Sequence, residues 1–163
     1  MRNLVLMRHA KSDYPSGVAD HQRPLAERGI REAALAGQWL KQELPTIDAV
    51  LCSTATRTRQ TLQVSGITAP TVFSDRLYEA ATGEMIAEIN GVDDTVATLL
   101  VVGHEPTISS VAAGLAGPGS AVAALQRIHT KYPTSAIAVL HVVAPWAKLT
   151  LHGAQLVKFH VPR

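Results

Sequence analysis

Arg8, His9, Arg57 and His104 all stand just after short apolar runs. "LVLM" leads into Arg8 and His9. "AVLCS" leads into a stretch carrying Arg57 and Arg59. "LLVVG" leads into His104 and Glu105. Arginine suits phosphate, because its planar fork meets two oxygens at once and stays charged. An imidazole beside such a clamp can attack phosphorus, or donate to the oxygens of a transferring phosphoryl group. A single histidine at a strand end is most often structural, and that reading is kept for His21, His129, His141, His152 and His160. Two histidines after separate apolar runs, each beside an arginine-bearing end, make an anion site a matched alternative.

Other chemistries fit less well. A Walker loop needs Gly, four residues and Gly-Lys-Ser/Thr, and the chain has none. A cysteine phosphatase loop spaces its Cys and Arg by five residues. Cys52 is separated from Arg57 by four and from Arg59 by six. Cys52 therefore reads as a small strand residue, and Ser53 as the start of the next helix. No paired histidines at i, i+4 and no cysteine cluster predict a metal site. No Gly-x-Ser-x-Gly elbow occurs. Asp13, Asp20 and Asp75 are given no catalytic part. Glu105, just before Pro106 at a helix start, reads as a partner of the helix dipole.

These side chains need a scaffold to bring them together. The length of 163 residues fits one domain over 1–163, large enough for a core without disulfides. Apolar residues are 47% and aromatics 4%, so that core must be aliphatic. A net charge of +2 without Lys/Arg runs argues against nucleic acid or a membrane surface as partner. No run approaches the roughly 18 apolar residues of a membrane span. A cytoplasmic monomer is expected.

The elements alternate. "NLVLM", "DAVLCS", "TVFS", "ATLLVVG" and "TSAIAVLHV" read as strands. "LAERGIREAALAGQWLKQEL" reads as a helix with Ile30, Ala33, Ala34, Gly37 and Leu40 on its inner face. "TATRTRQTLQVSG" is a helix closed by Gly66. "GEMIAEING", "PTISSVAAGLAG" and "SAVAALQRI" are further helices, and "KLTLHGAQLVKFHV" reads as a hairpin turning near Gly153. Alternating strands and helices predict an α/β fold with a mostly parallel sheet. Parallel strands carry their carboxyl ends to one edge, where such sheets bind ligands.

"MRHAKS", "RPLAERG", "STATRTRQT", "RLYEA", "VVGHEP" and "TSAIAVL" together resemble the histidine phosphatase superfamily, whose fold is phosphoglycerate-mutase-like, and within it the SixA-type phosphohistidine phosphatases. The resemblance runs from Leu4 to about Leu140. It implies a three-layer α/β/α sandwich and a metal-independent phosphatase without a cofactor. It implies His9 as the nucleophile that becomes phosphorylated, Arg8 and Arg57 as the phosphoryl clamp, and His104 as a second histidine donating to the same oxygens. Arg23 matches a further pocket arginine of the SixA-type branch. Glu79 falls where many members keep a general acid. The implied substrate is a phosphorylated protein carrying phosphohistidine. Small phosphoesters, phosphoserine/threonine, or phosphate binding without turnover remain the alternatives. Two departures stand out. Ala10 replaces the Gly of the Arg-His-Gly signature, and Pro15 stands near the position where mutase-type members place an Asn. The short chain leaves no room for inserted lids.

Overall fold

The computed structural model describes residues 1–163. Five of its strands run the same way. β1 (Arg2–Arg8), β2 (Ala49–Ser53), β3 (Thr71–Ser74), β4 (Thr98–Gly103), β5 (Ile137–Val142) and β6 (Ala154–His160) form one sheet in the order β3-β2-β4-β1-β5-β6. β1, β2, β3 and β4 pair in parallel, whereas β5 is antiparallel to both of its neighbours.

The β1 run is apolar throughout because both faces of the sheet are covered. Leu4 and Leu6 face α3 (Thr82–Asn90), α4 (Thr107–Leu115) and α5 (Val122–Thr130). Val5 and Met7 face α1 (Glu27–Glu43) and α2 (Thr56–Ser65). The expected three-layer sandwich is therefore present, with an aliphatic core split by the sheet. No helix is long and apolar enough to cross a membrane.

α1 and α2 pack closely at Gly37. A Cβ built there would lie 1.9 Å from the carbonyl oxygen of Ser65. Gly66 then ends α2 in the left-handed conformation (φ 71°), as the sequence predicts. This close contact also corrects the inner face of α1. Its buried residues are Gly29, Glu32, Ala33, Ala36, Gly37 and Leu40, while Ile30 is exposed and Ala34 half-buried. The helix turns its smallest residues inward, because backbone approaches there leave no room for an isoleucine. Glu32 tolerates burial by pairing with Arg28 at 3.3 Å and Arg163 at 3.0 Å.

The late hairpin is also corrected. Residues 146–148 form a short 3-10 turn, not a strand, and β6 pairs with β5. Trp146 in that turn is fully buried and donates its indole N–H to the Val96 carbonyl at 2.8 Å, which anchors the connection. His152 lies exposed in the turn before β6, outside any strand.

Gly37→Ala is expected to lower folding stability by about 1–3 kcal/mol, since the clash is with backbone and cannot be relieved by a rotamer change. Urea denaturation followed by circular dichroism measures it, and an unchanged midpoint would contradict the tight α1–α2 approach.

Candidate active site

The carboxyl ends of β1, β2 and β4 meet at one edge of the sheet. Arg8 pairs with Gly103 across the β1–β4 ladder, and the His9 N–H donates to the Gly103 carbonyl at 3.0 Å. His104 follows directly. The two imidazoles lie with ring centroids 5.2 Å apart. From the other side the turn leading into β5 brings Ser135, whose N–H donates to the His9 carbonyl at 3.0 Å. His9 is thus gripped by backbone on both flanks.

The His9 ring is oriented by its own chain. Its Nδ1 lies 2.7 Å from the Ala10 carbonyl oxygen. A carbonyl only accepts, so Nδ1 carries the hydrogen and a neutral ring keeps its lone pair on Nε2. The Ala10 N–H donates to Thr61 Oγ1 at 2.9 Å, and Thr61 donates to the Arg57 carbonyl at 2.7 Å. This short chain ties the His9 loop to α2. Ala10 is fully buried against Leu25 and Ala33. Positive φ outside glycine occurs only at Ser135 and His152, so alanine fits position 10 without strain.

His104 is held by Ser53 at the end of β2, with Nε2 2.8 Å from Ser53 Oγ. Ser53 Oγ also accepts from the Ala55 N–H at 3.3 Å. Ser53 is thus the last residue of β2 and not the first of α2, whose N-cap is Ala55, and its hydroxyl serves the site through a histidine 51 residues away, a contact that leaves no local mark in the sequence. Cys52 beside it is inert: burial pushes its thiol up to about 12.

The arginines surround these rings. Arg57 is buried, and its Nη1 donates to the Asp20 carbonyl at 2.8 Å. Arg8 Nη1 donates to the Tyr132 carbonyl at 2.9 Å, and Tyr132 is itself anchored by donating to the Leu6 carbonyl at 2.6 Å. Arg23 is half-buried and stacks its guanidinium 4.0 Å from the Tyr14 ring. Arg59 points away, over Phe73.

Six buried side-chain polar atoms have no hydrogen-bond partner in the protein, and four belong to these residues: Arg8 Nε, Arg23 Nη1, Arg57 Nε and His104 Nδ1. Buried donors are normally satisfied. Their concentration here describes a cradle for an acceptor-rich anion. No three His, Cys, Asp or Glu side chains group as metal ligands.

Of the six residues singled out in the sequence, five converge. The sixth, Glu79, is exposed and makes no hydrogen bond or ion pair; its neighbour Tyr78 is the residue that reaches the pocket, with its ring edge-on to His104 at 5.6 Å. Tyr78 donates to the Asp20 carboxylate. Asp20, given no part from sequence, thus sits at the mouth. No local pattern marks it; only the fold brings it there. Glu105 accepts from the Ser109 N–H at 2.7 Å, closing the first turn of α4 as expected.

The chain matches the model of the histidine phosphatase superfamily (branch 1) over residues 4–144. It belongs to that superfamily. It is 61% identical over 158 residues to an uncharacterized protein of Mycobacterium tuberculosis, covering 96% of this chain and 100% of that one. It is 29% identical over 126 residues to phosphohistidine phosphatase SixA of Escherichia coli, covering 69% and 73%. A solved structure of a candidate phosphohistidine phosphatase SixA from Nakamurella multipartitia superposes with a TM-score of 0.91 at 40% identity, covering 99% and 96%. The similarity thus runs to SixA-type members of the superfamily.

Burial is the main cause that pushes His9 down to about 4, with the charges of Arg57, Arg8 and Arg23 adding to it. The same burial, with His9 and Arg57 nearby, pushes His104 down to about 3. Desolvation is thus the larger cause for His9, and the charges of the arginines are the smaller one. Both rings are therefore neutral near pH 7. An unfolded chain would protonate them at about 6.5, so acid favours unfolding. Each histidine is expected to remove up to about 1.4 kcal/mol of stability per pH unit below that value, until its own folded pKa is reached. Urea midpoints at pH 7 and pH 5 measure the loss. The double variant His9→Gln/His104→Gln is expected to flatten the slope, and an unchanged slope would contradict the neutral pair.

Proposed function

We propose that this phosphatase hydrolyses phosphohistidine in a protein, through a covalent phosphohistidine on His9. The observation that carries the reading is the set of four buried, unpartnered side-chain nitrogens on Arg8, Arg23, Arg57 and His104, the neighbours of His9, whose own Nε2 is free. Arg8, Arg23, Arg57 and His104 would hold the equatorial oxygens, where charge stabilisation does most of the work in phosphoryl transfer. With the Ser53 hydroxyl donating to His104 Nε2, Nδ1 carries the hydrogen and becomes the donor.

His9 Nε2 gives its lone pair to phosphorus. The substrate's phosphorus–nitrogen bond breaks, and its electrons stay on the substrate ring, which carries a hydrogen on its other nitrogen and so departs as neutral imidazole. Water then attacks the phosphorus on His9. It loses a proton, the second phosphorus–nitrogen bond breaks, and phosphate and free His9 result. An imidazole leaving group needs little help from an acid. That matches a pocket whose implied acid, Glu79, stands exposed at the rim. The SixA-type relatives support the same substrate class.

Hydrolysis of a phosphohistidine protein and of p-nitrophenyl phosphate, with chelator present, tests this. Wild-type protein is expected to favour the former and His9→Ala to lose both by at least about 10³-fold. Retained activity in His9→Ala would overturn the nucleophile assignment, and a preference for the ester would overturn the substrate assignment.

Glu79 stands outside the converged residues. Glu79→Gln is therefore expected to leave turnover of phosphohistidine and of an alkyl phosphate both within about threefold. Steady-state kinetics on both substrates measure this, and a loss of about 10²-fold confined to the alkyl phosphate would return Glu79 to the role of general acid.

A further inference from the structure

Asp20 is held on three sides at the pocket mouth. Its Oδ1 accepts from Arg23 Nε at 3.0 Å. Its Oδ2 accepts from Arg57 Nη2 at 3.2 Å and from the Tyr78 hydroxyl. The side chain is nevertheless 59% exposed, so it faces whatever enters. The Tyr78 hydroxyl, followed by the charge of Arg57, holds its carboxyl below the usual range, so it is anionic at neutral pH.

Two arginines that must receive a phosphoryl group thus already share a carboxylate. Orienting them needs only an acceptor, which a neutral amide would also supply. A full negative charge does more. In-line attack by His9 sends the leaving group away from the pocket floor, toward the mouth where Asp20 stands. A leaving group with its own negative charge meets repulsion there, and a neutral or protonated imidazole does not.

We propose that Asp20 is a specificity-determining residue: its carboxylate, anchored by Arg23, Arg57 and Tyr78, selects against leaving groups that carry negative charge and in favour of the imidazole of phosphohistidine. This rests on the functional reading above.

The test compares kcat/KM for a phosphohistidine protein, p-nitrophenyl phosphate and 3-phosphoglycerate, whose leaving group carries a carboxylate. Asp20→Asn is expected to raise the ratio of 3-phosphoglycerate to phosphohistidine turnover about tenfold. Asp20→Glu, which keeps the charge, is expected to stay near the wild-type ratio. The shift is expected to shrink as salt rises from about 0.01 M to about 1 M, because the carboxylate is solvent-exposed. If 3-phosphoglycerate turns over too slowly, Asp20→Asn is expected to lower its competitive inhibition constant about tenfold relative to that of inorganic phosphate, and an unchanged ratio of the two constants would overturn the proposal. A common loss on all three substrates, or a ratio insensitive to salt, would overturn the proposal and leave Asp20 as a strut for the arginines. The two readings fail separately: the wild-type preference between phosphohistidine and p-nitrophenyl phosphate decides the function, and the Asp20→Asn ratio decides the selector.

Discussion

The last rung of the β1–β4 ladder, from the His9 N–H to the Gly103 carbonyl at 3.0 Å, fixes where the two histidines stand. β4 arrives late in the chain but inserts between β1 and β2. That insertion places His9 and His104 side by side and brings Ser53 within reach of His104. It also explains why β1 and β4 are apolar along almost their whole length. Each is flanked by strands on both edges and helices on both faces, so polar residues can appear only where the strands end. A shift of one residue in this register would turn every β1 side chain to the opposite face and take Arg8 and His9 out of line.

Burial and charge then cooperate at that edge. Desolvation keeps both imidazoles neutral, while the arginines keep the pocket positive. A site of this kind would repel a proton and attract a phosphate with the same set of residues. Asp20 tempers the positive field at the mouth without entering the floor.

Much of this was legible in the sequence, and the reasons can be named. Arg8, His9, Arg57 and His104 stood out because apolar runs ended on them. The layers followed from alternation of strand and helix. Ile30 is exposed on α1 despite its hydrophobicity, since a side chain's polarity says nothing about the backbone approach that Gly37 permits. "KLTL" has the alternation of a strand, but buried Trp146 draws the start of that stretch into a turn. Asp20, Tyr78 and Ser53 act through partners far away in sequence: Arg57 stands 37 residues from Asp20, His104 stands 51 from Ser53 and Tyr78 stands 58 from Asp20. No local spacing encodes such contacts.

The orientation of His9 has one more consequence. Its Nδ1 is fixed by the carbonyl of the next residue in the chain and not by a carboxylate from elsewhere. An orienting side chain is a second codon at which a nucleophile can be disabled. A main-chain carbonyl is supplied by any amino acid, so no point substitution deletes it. The genetic target for losing the aim of His9 is thereby narrowed to changes that bend the backbone at Ala10, and the pocket can drift at its rim while His9 Nε2 stays pointed the same way.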